Sequence, residues 1–112
     1  MAKLERTLTG DFDALLGYLH DGILSGSASA SWEDGSDYSG PDFRCAVRVY
    51  ERYSLLGGNR VSLTLTLVGE GNRIFISAIT SGGSQAMFVK MNTMGESAFL
   101  DKVQELLEQW RG

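Results

Sequence analysis

Phe43-Arg44-Cys45-Ala46-Val47-Arg48-Val49-Tyr50-Glu51-Arg52 and Val61-Ser62-Leu63-Thr64-Leu65-Thr66-Leu67 are the two stretches that decide the fold. In the first, Phe43, Cys45, Val47 and Val49 alternate with Arg44, Ala46, Arg48, Tyr50 and Arg52. In the second, Val61, Leu63, Leu65 and Leu67 alternate with Ser62, Thr64 and Thr66. Neighbouring side chains of a strand point to opposite faces, so this period of two predicts a pair of half-buried strands, with the aliphatic positions inward. Gly57-Gly58-Asn59 lies between them and accepts the positive φ angles of a tight turn, which makes the pair an antiparallel hairpin. Gly69-Glu70-Gly71-Asn72 then turns the chain into residues 73–80, and Ser81-Gly82-Gly83-Ser84 turns it into residues 85–91. The result is a meander.

Upstream of the hairpin, residues 2–8 alternate Ala2, Leu4, Arg6 and Leu8 with Lys3, Glu5 and Thr7, a short strand with one buried side. After Thr9-Gly10-Asp11, the residues Phe12, Leu15, Leu16, Leu19 and Ile23 recur at the spacing of one helical face. Asp11 suits the N-cap, Asp13 suits the positive end of the helix dipole, and Gly22 or Gly26 ends the helix. The small alternating residues 27–32 predict a narrow strand. Residues 33–42, rich in Asp, Ser and Gly and holding Pro41, the only proline, have the chemistry of an exposed, mobile loop. Past Asn92-Thr93-Met94-Gly95, an apolar stripe of Phe99, Leu100, Val103, Leu106, Leu107 and Trp110 predicts an amphipathic C-terminal helix. The expected fold is therefore α+β and two-layered. A meander of about five antiparallel strands, with a further N-terminal strand, packs against an N-terminal and a C-terminal helix.

The bulk numbers fit one domain over residues 1–112. Hydrophobic residues make up 43% and charged residues 21%, the composition of a chain that buries a core. Cys45 is the only cysteine, so an intrachain disulfide and a thiolate zinc site are excluded by count, and a reducing cytoplasm is the expected compartment. No apolar run approaches the roughly 20 residues that span a bilayer, and the first residues lack an export signal's apolar core. A soluble protein away from membranes is expected. The net charge of −4 argues against non-specific nucleic-acid binding, which needs a basic surface. Eight acids against two bases fall in residues 1–42, and six acids against eight bases in residues 43–112, so the charge is dipolar.

The order strand, helix, antiparallel strands, long C-terminal helix resembles the helix-grip fold of the birch-pollen-allergen and START-like proteins. That resemblance rests on element order and on the stripe from Phe99 to Trp110. It implies a curved sheet wrapped around the last helix, over a cavity for a small apolar ligand. The chain is short for that family, with one helix where a pair is usual. Gly10-Asp11-Phe12-Asp13 and Ile79-Thr80-Ser81-Gly82-Gly83-Ser84 give it the look of a small bacterial family of unknown function. In size, acidity and α/β content it is also similar to the dimeric chaperones of bacterial secretion systems, which carry a helix within their run of strands.

Candidate chemistry is sparse. His20 sits beside Asp21, but neighbours in a helix do not face each other, so no oriented general base follows. Cys45 falls on the inward side of its strand and reads as a small hydrophobe. Glu33, Asp34, Asp37 and Asp42 miss the alternate-ligand spacing of a calcium loop, and the glycine pairs at 57–58 and 82–83 lack the lysine and serine of a phosphate loop. No catalytic residue, metal or cofactor is expected. Arg44, Arg48 and Arg52, with Tyr50 between, share one strand face and could present guanidinium forks to an anion or partner. Finally, placing Ile74, Ile76 and Ala78 inward sends Phe75 and Ile79 outward, and placing Met87, Val89 and Met91 inward sends Phe88 outward. An apolar patch of Phe75, Ile79 and Phe88 marks an interaction surface, most simply for a second copy. The expected role is a non-catalytic binding or interaction module that homodimerises. The alternatives are a carrier of a small apolar ligand and a secretion-type chaperone.

Overall fold

The alternation in residues 61–67 becomes β4 (Arg60–Glu70), the middle strand of a five-stranded antiparallel sheet ordered β1-β5-β4-β3-β2. Its companions are β1 (Ala2–Thr9), β2 (Ser31–Ser39), β3 (Arg44–Tyr53) and β5 (Arg73–Gly82), with helices α1 (Phe12–Ser25) and α2 (Val89–Gln109). The computed structural model describes residues 1–53, 60–82 and 89–111, with side chains from residue 96 onward in the last stretch. The fold is the α+β architecture that the pattern predicts. β1 pairs along β5, Leu4 opposite Ala78, so the first strand forms one edge and β2 the other. Gly71, at φ +59°, makes the turn from β4 into β5 in a conformation that costs glycine nothing.

Both helices lie on one face. Leu63, Leu65 and Leu67 of β4 and Ile74 and Ile76 of β5 point toward them and are almost wholly buried. Leu15, Leu19 and Ile23 of α1 and Phe99 and Val103 of α2, each at most 1% exposed, fill the space between. Asp11 caps α1 as its chemistry requires: the Ala14 N–H donates to its carboxylate at 2.8 Å and the Leu15 N–H to its carbonyl at 3.0 Å. The Tyr18 hydroxyl donates to the Leu106 carbonyl at 2.7 Å, tying α1 to α2. Glu96, buried near the start of the described part of α2, accepts from the Gly82 N–H at 2.8 Å and pairs with the Met1 amino group. A buried carboxylate needs such donors, and here they join α2 to the ends of β5 and β1.

Three expectations change. Residues 33–42 are not a loop as far as Ser39: with Ser31 and Trp32 they form β2, paired to β3 from Ser31 opposite Glu51 to Ser39 opposite Arg44. Residues 27–30, expected as strand, precede it. Backbone pairing to β3 outweighs the weak strand propensity of Asp, Ser and Gly, as it often does. The strand expected over residues 85–91 is helical where it is described, since Val89, Lys90 and Met91 open α2. Residues 85–88, the turn at 57–59 and the Gly83-Ser84 half of the turn after β5 lie outside the described residues.

The third correction is the facing of β3. Ala46 and Tyr50 are fully buried against the helices, opposite Leu67 and Leu63, while Cys45, Val47 and Val49 face away. β4 has only one apolar side, so its pairing dictates which side of β3 turns inward, and a slip of one residue exchanges every side chain. Arg44, Arg48 and Arg52 therefore point to the helix side. Their stems lie along apolar surface while the charged ends reach its margin, Arg44 over the Phe12 ring and Arg52 over the Phe99 ring, each 4.4 Å from the centroid.

Phe99 is 1% exposed and sits between α2 and the sheet, whereas Trp110 lies past the end of α2 and is only partly buried. Phe99→Ala is expected to cost about 3–5 kcal/mol. Trp110→Ala is expected to cost clearly less, and urea denaturation of the two variants checks the order.

Candidate functional site

The outer face of the sheet, opposite the helices, is the first candidate. β3 contributes Cys45, Val47 and Val49, and β4 contributes Thr64, Thr66 and Val68 in register with them. β5 adds Phe75, Ser77 and Ile79, with Phe75 38% and Ile79 37% exposed. These nine positions hold no charge. Charged residues stand around them: Lys3 and Glu5 on β1, Glu51 and Arg60 at one end, Glu70 and Arg73 at the other. Among the described residues nothing covers this face. Antiparallel sheets that face water are normally polar on that side, so an uncharged centre within a charged rim is the layout of a docking surface. Phe75 and Ile79 lie on it as expected from their alternation; Phe88, grouped with them, lies outside the described residues. Cys45, expected in the core, is a half-buried member of this outer band.

The arginine strand is the second candidate, and its geometry differs from an open anion-binding face. Arg44 donates two bonds to Asp13 of α1, at 2.8 and 2.9 Å. That contact holds the Asp13 carboxyl below its ordinary value and raises Arg44. Arg48 is spent on Asp37, at 3.1 Å, and on the Val47 carbonyl at 2.9 Å. Burial pushes the Arg52 guanidinium down, because an apolar setting disfavours charge. Tyr50 is inside: its hydroxyl meets His20 Nδ1 at 2.8 Å, and burial lifts its pKa to about 12. The four residues share a strand face but do not form an unpaired cationic surface.

His20 is thus a boundary residue with a specific partner. Its ring also stands edge-on to Trp32, 5.3 Å between centroids and 88° between planes. The Trp32–His20–Tyr50 cluster is not legible in the sequence, because residues 20, 32 and 50 come from three elements and the local pattern ends a strand at Trp32, where β2 in fact begins at Ser31. Trp32 opposite Tyr50 in the β2–β3 register is the contact that assembles it. Three of the acids expected in a loop have local partners: Glu33 meets Ser31 and Arg60, Asp34 accepts from the Gly35 N–H at 2.8 Å, and Asp37 binds Arg48. Among the described residues no three His, Cys, Asp or Glu side chains gather as metal ligands.

A two-layer domain with helices on one face of its sheet, and an uncharged band on the other, is the class that this geometry defines. The chain belongs to a family of unknown function, DUF6054, whose sequence profile matches residues 1–111. No curated protein matches the sequence. Among the described residues no helix is long and apolar enough to cross a membrane.

Tyr50 gives the core a pH signature. The folded state keeps the phenol proton up to about pH 12, while the unfolded chain releases it near pH 10. The unfolded state then binds fewer protons, so this contribution to stability is whole below about pH 10 and declines as pH rises toward 12. Melting temperatures measured across that window are expected to fall more steeply for the wild type than for Tyr50→Phe.

Proposed function

We propose that this protein is a non-catalytic interaction domain that associates with a second copy of itself through the outer sheet face. The observation that carries the reading is the run of nine outward positions on β3, β4 and β5 without a charge, including half-exposed Phe75 and Ile79. Water-facing sheets gain nothing from Val, Ile and Phe there, whereas two such faces stacked about 10 Å apart interdigitate into a core. With strands about 4.8 Å apart, the uncharged band on three strands covers about 250 Å², and the whole five-stranded face with its charged rim about 650 Å², so an interface near the standard 800 Å² per partner needs the rim as well as the band.

The edges of the sheet support the same choice. β2 carries Glu33, Asp34 and Asp37, and side chains already hold part of its backbone: the Trp32 indole donates to the Asp34 carbonyl at 2.8 Å. Charged, self-satisfied edges discourage strand addition and leave the face as the associating surface. A carrier of an apolar ligand would need an enclosed void beneath α2: Phe99, Val103, Leu15 and Leu63, at 1% exposure or less, fill its middle, and the space of about 610 Å³ beside Leu107 and Trp110 at its end, bounded by Thr7, Leu8, Thr9, Asn72 and Arg73, is open to solvent. A secretion-type chaperone would place a helix among the strands, and β2 to β5 succeed one another as strands.

Light scattering at micromolar concentration is expected to report a dimer for the wild type. The Phe75→Ser, Ile79→Ser pair is expected to yield a folded monomer, since Ile74, Ile76 and Ala78 still face the helices. A folded wild type that stays monomeric defeats the reading.

A further inference from the structure

We propose a second site, independent of the sheet-face reading: a groove between α1 and β2 that binds a planar, uncharged heteroaromatic ring. The groove holds about 330 Å³, the small end of ligand-site volumes, and is lined by Asp13, Leu16, Gly17, His20, Trp32 and Arg48. Residues 13, 16, 17 and 20 form one stripe of α1; Trp32 and Arg48 form the opposite wall.

Gly17 is the observation that asks for a ligand. Glycine is the poorest helix former after proline, so one in mid-helix calls for a reason. Gly22 has its reason in the approach of α2, where a Cβ would meet Leu106 Cδ2 at 2.5 Å, and Gly26 is the C-cap that follows the helix. A Cβ on Gly17 would meet nothing within 4 Å. Nothing within the described fold requires the smallest residue there. A flat molecule lying on the helix backbone would.

The walls are built to receive such a molecule. A bulge between Trp32 and Asp34 interrupts the β2 register, the device by which strands re-aim a side chain. The bond from the Trp32 indole to the Asp34 carbonyl then fixes the ring, which remains 53% exposed. His20 is oriented by the buried Tyr50 hydroxyl on one ring nitrogen, which leaves the other for a polar ring edge. Both charges in the lining are already matched, Asp13 by Arg44 and Arg48 by Asp37. An ionic ligand would have to break one of those pairs, so the fitting ligand is neutral. Its ring stacks against Trp32 over Gly17, with a hydrogen-bonding edge toward His20.

The test uses adenine, indole and nicotinamide as neutral probes and benzoate as a charged one, each titrated while the Gly17 amide and Trp32 indole N–H signals are followed by NMR. The expected result is a saturable shift of both signals with at least one neutral probe. Gly17→Ala is expected to raise the melting temperature, since alanine favours helix, and to weaken that probe at least tenfold. Tyr50→Phe is expected to stay folded and bind it several-fold more weakly. Four results overturn the site: no saturable shift with any neutral probe, binding of benzoate alone, unchanged affinity in Gly17→Ala, or a lower melting temperature in that variant. Shifts of Trp32 that follow protein concentration instead of probe would put a second copy in the groove and overturn it as well.

Discussion

The pairing of β3 to β4 is the constraint on which the rest of the molecule depends. β4 offers the helices Val61, Leu63, Leu65 and Leu67, and its other side, between Arg60 and Glu70 at the ends, is Ser, Thr and a single Val, so it has one way to face. Antiparallel partners share a face, and Ala46 and Tyr50 are drawn inward with it. Two consequences follow on opposite sides of the sheet. Inside, the Tyr50 hydroxyl arrives at His20, and three arginine stems line the margins of the helix layer. Outside, Cys45, Val47 and Val49 join Thr64, Thr66, Phe75 and Ile79 in a band without charge.

β3 is the strand for which sequence periodicity failed, and the failure is physical. Its odd positions are more hydrophobic than its even ones, so alternation alone turns Val47 and Val49 inward. Burial on the helix side, however, is measured by what the whole side chain covers. An arginine whose stem lies over Phe12 or Phe99 while its guanidinium reaches the margin occupies an inward position without burying a free charge. The outer valines are the other half of the explanation: they give the solvent side of β3 the apolar pattern that alternation assigns to a core.

Elsewhere the legibility follows how local the deciding physics is. The α1 face, its Asp11 cap and the inward sides of β4 and β5 are set by residues within a turn or two, and each was readable. β2 was not, because a strand of Asp, Ser and Gly exists through its bonds to β3 and not through its own propensities. The first turns of α2 were missed for a related reason: Val89 and Met91 alternate like strand residues, and helix wins there in the context of the longer segment that packs on the sheet. The Trp32 groove depends on a bulge and on an inter-strand register, neither of which has a local sequence signature.

The outer band and the groove have different standing as surfaces because the fold treats them differently. The band is without directed polar contacts, and what gives it a distinct outline is the ring of charges at Lys3, Glu5, Glu51, Arg60, Glu70 and Arg73. Opposite charges adjacent on that ring, such as Lys3 beside Glu5, suit a twofold partner, in which each charge meets a residue of the same surface. The groove is small, and Trp32, His20 and Arg48 are each held by a hydrogen bond to a fixed neighbour. Preorganised side chains lose little entropy on binding, which is how a small contact area becomes a selective one. A single register thus does both: it leaves an uncharged band on the outer face and, at the sheet edge, sets Trp32 and His20 beside Gly17.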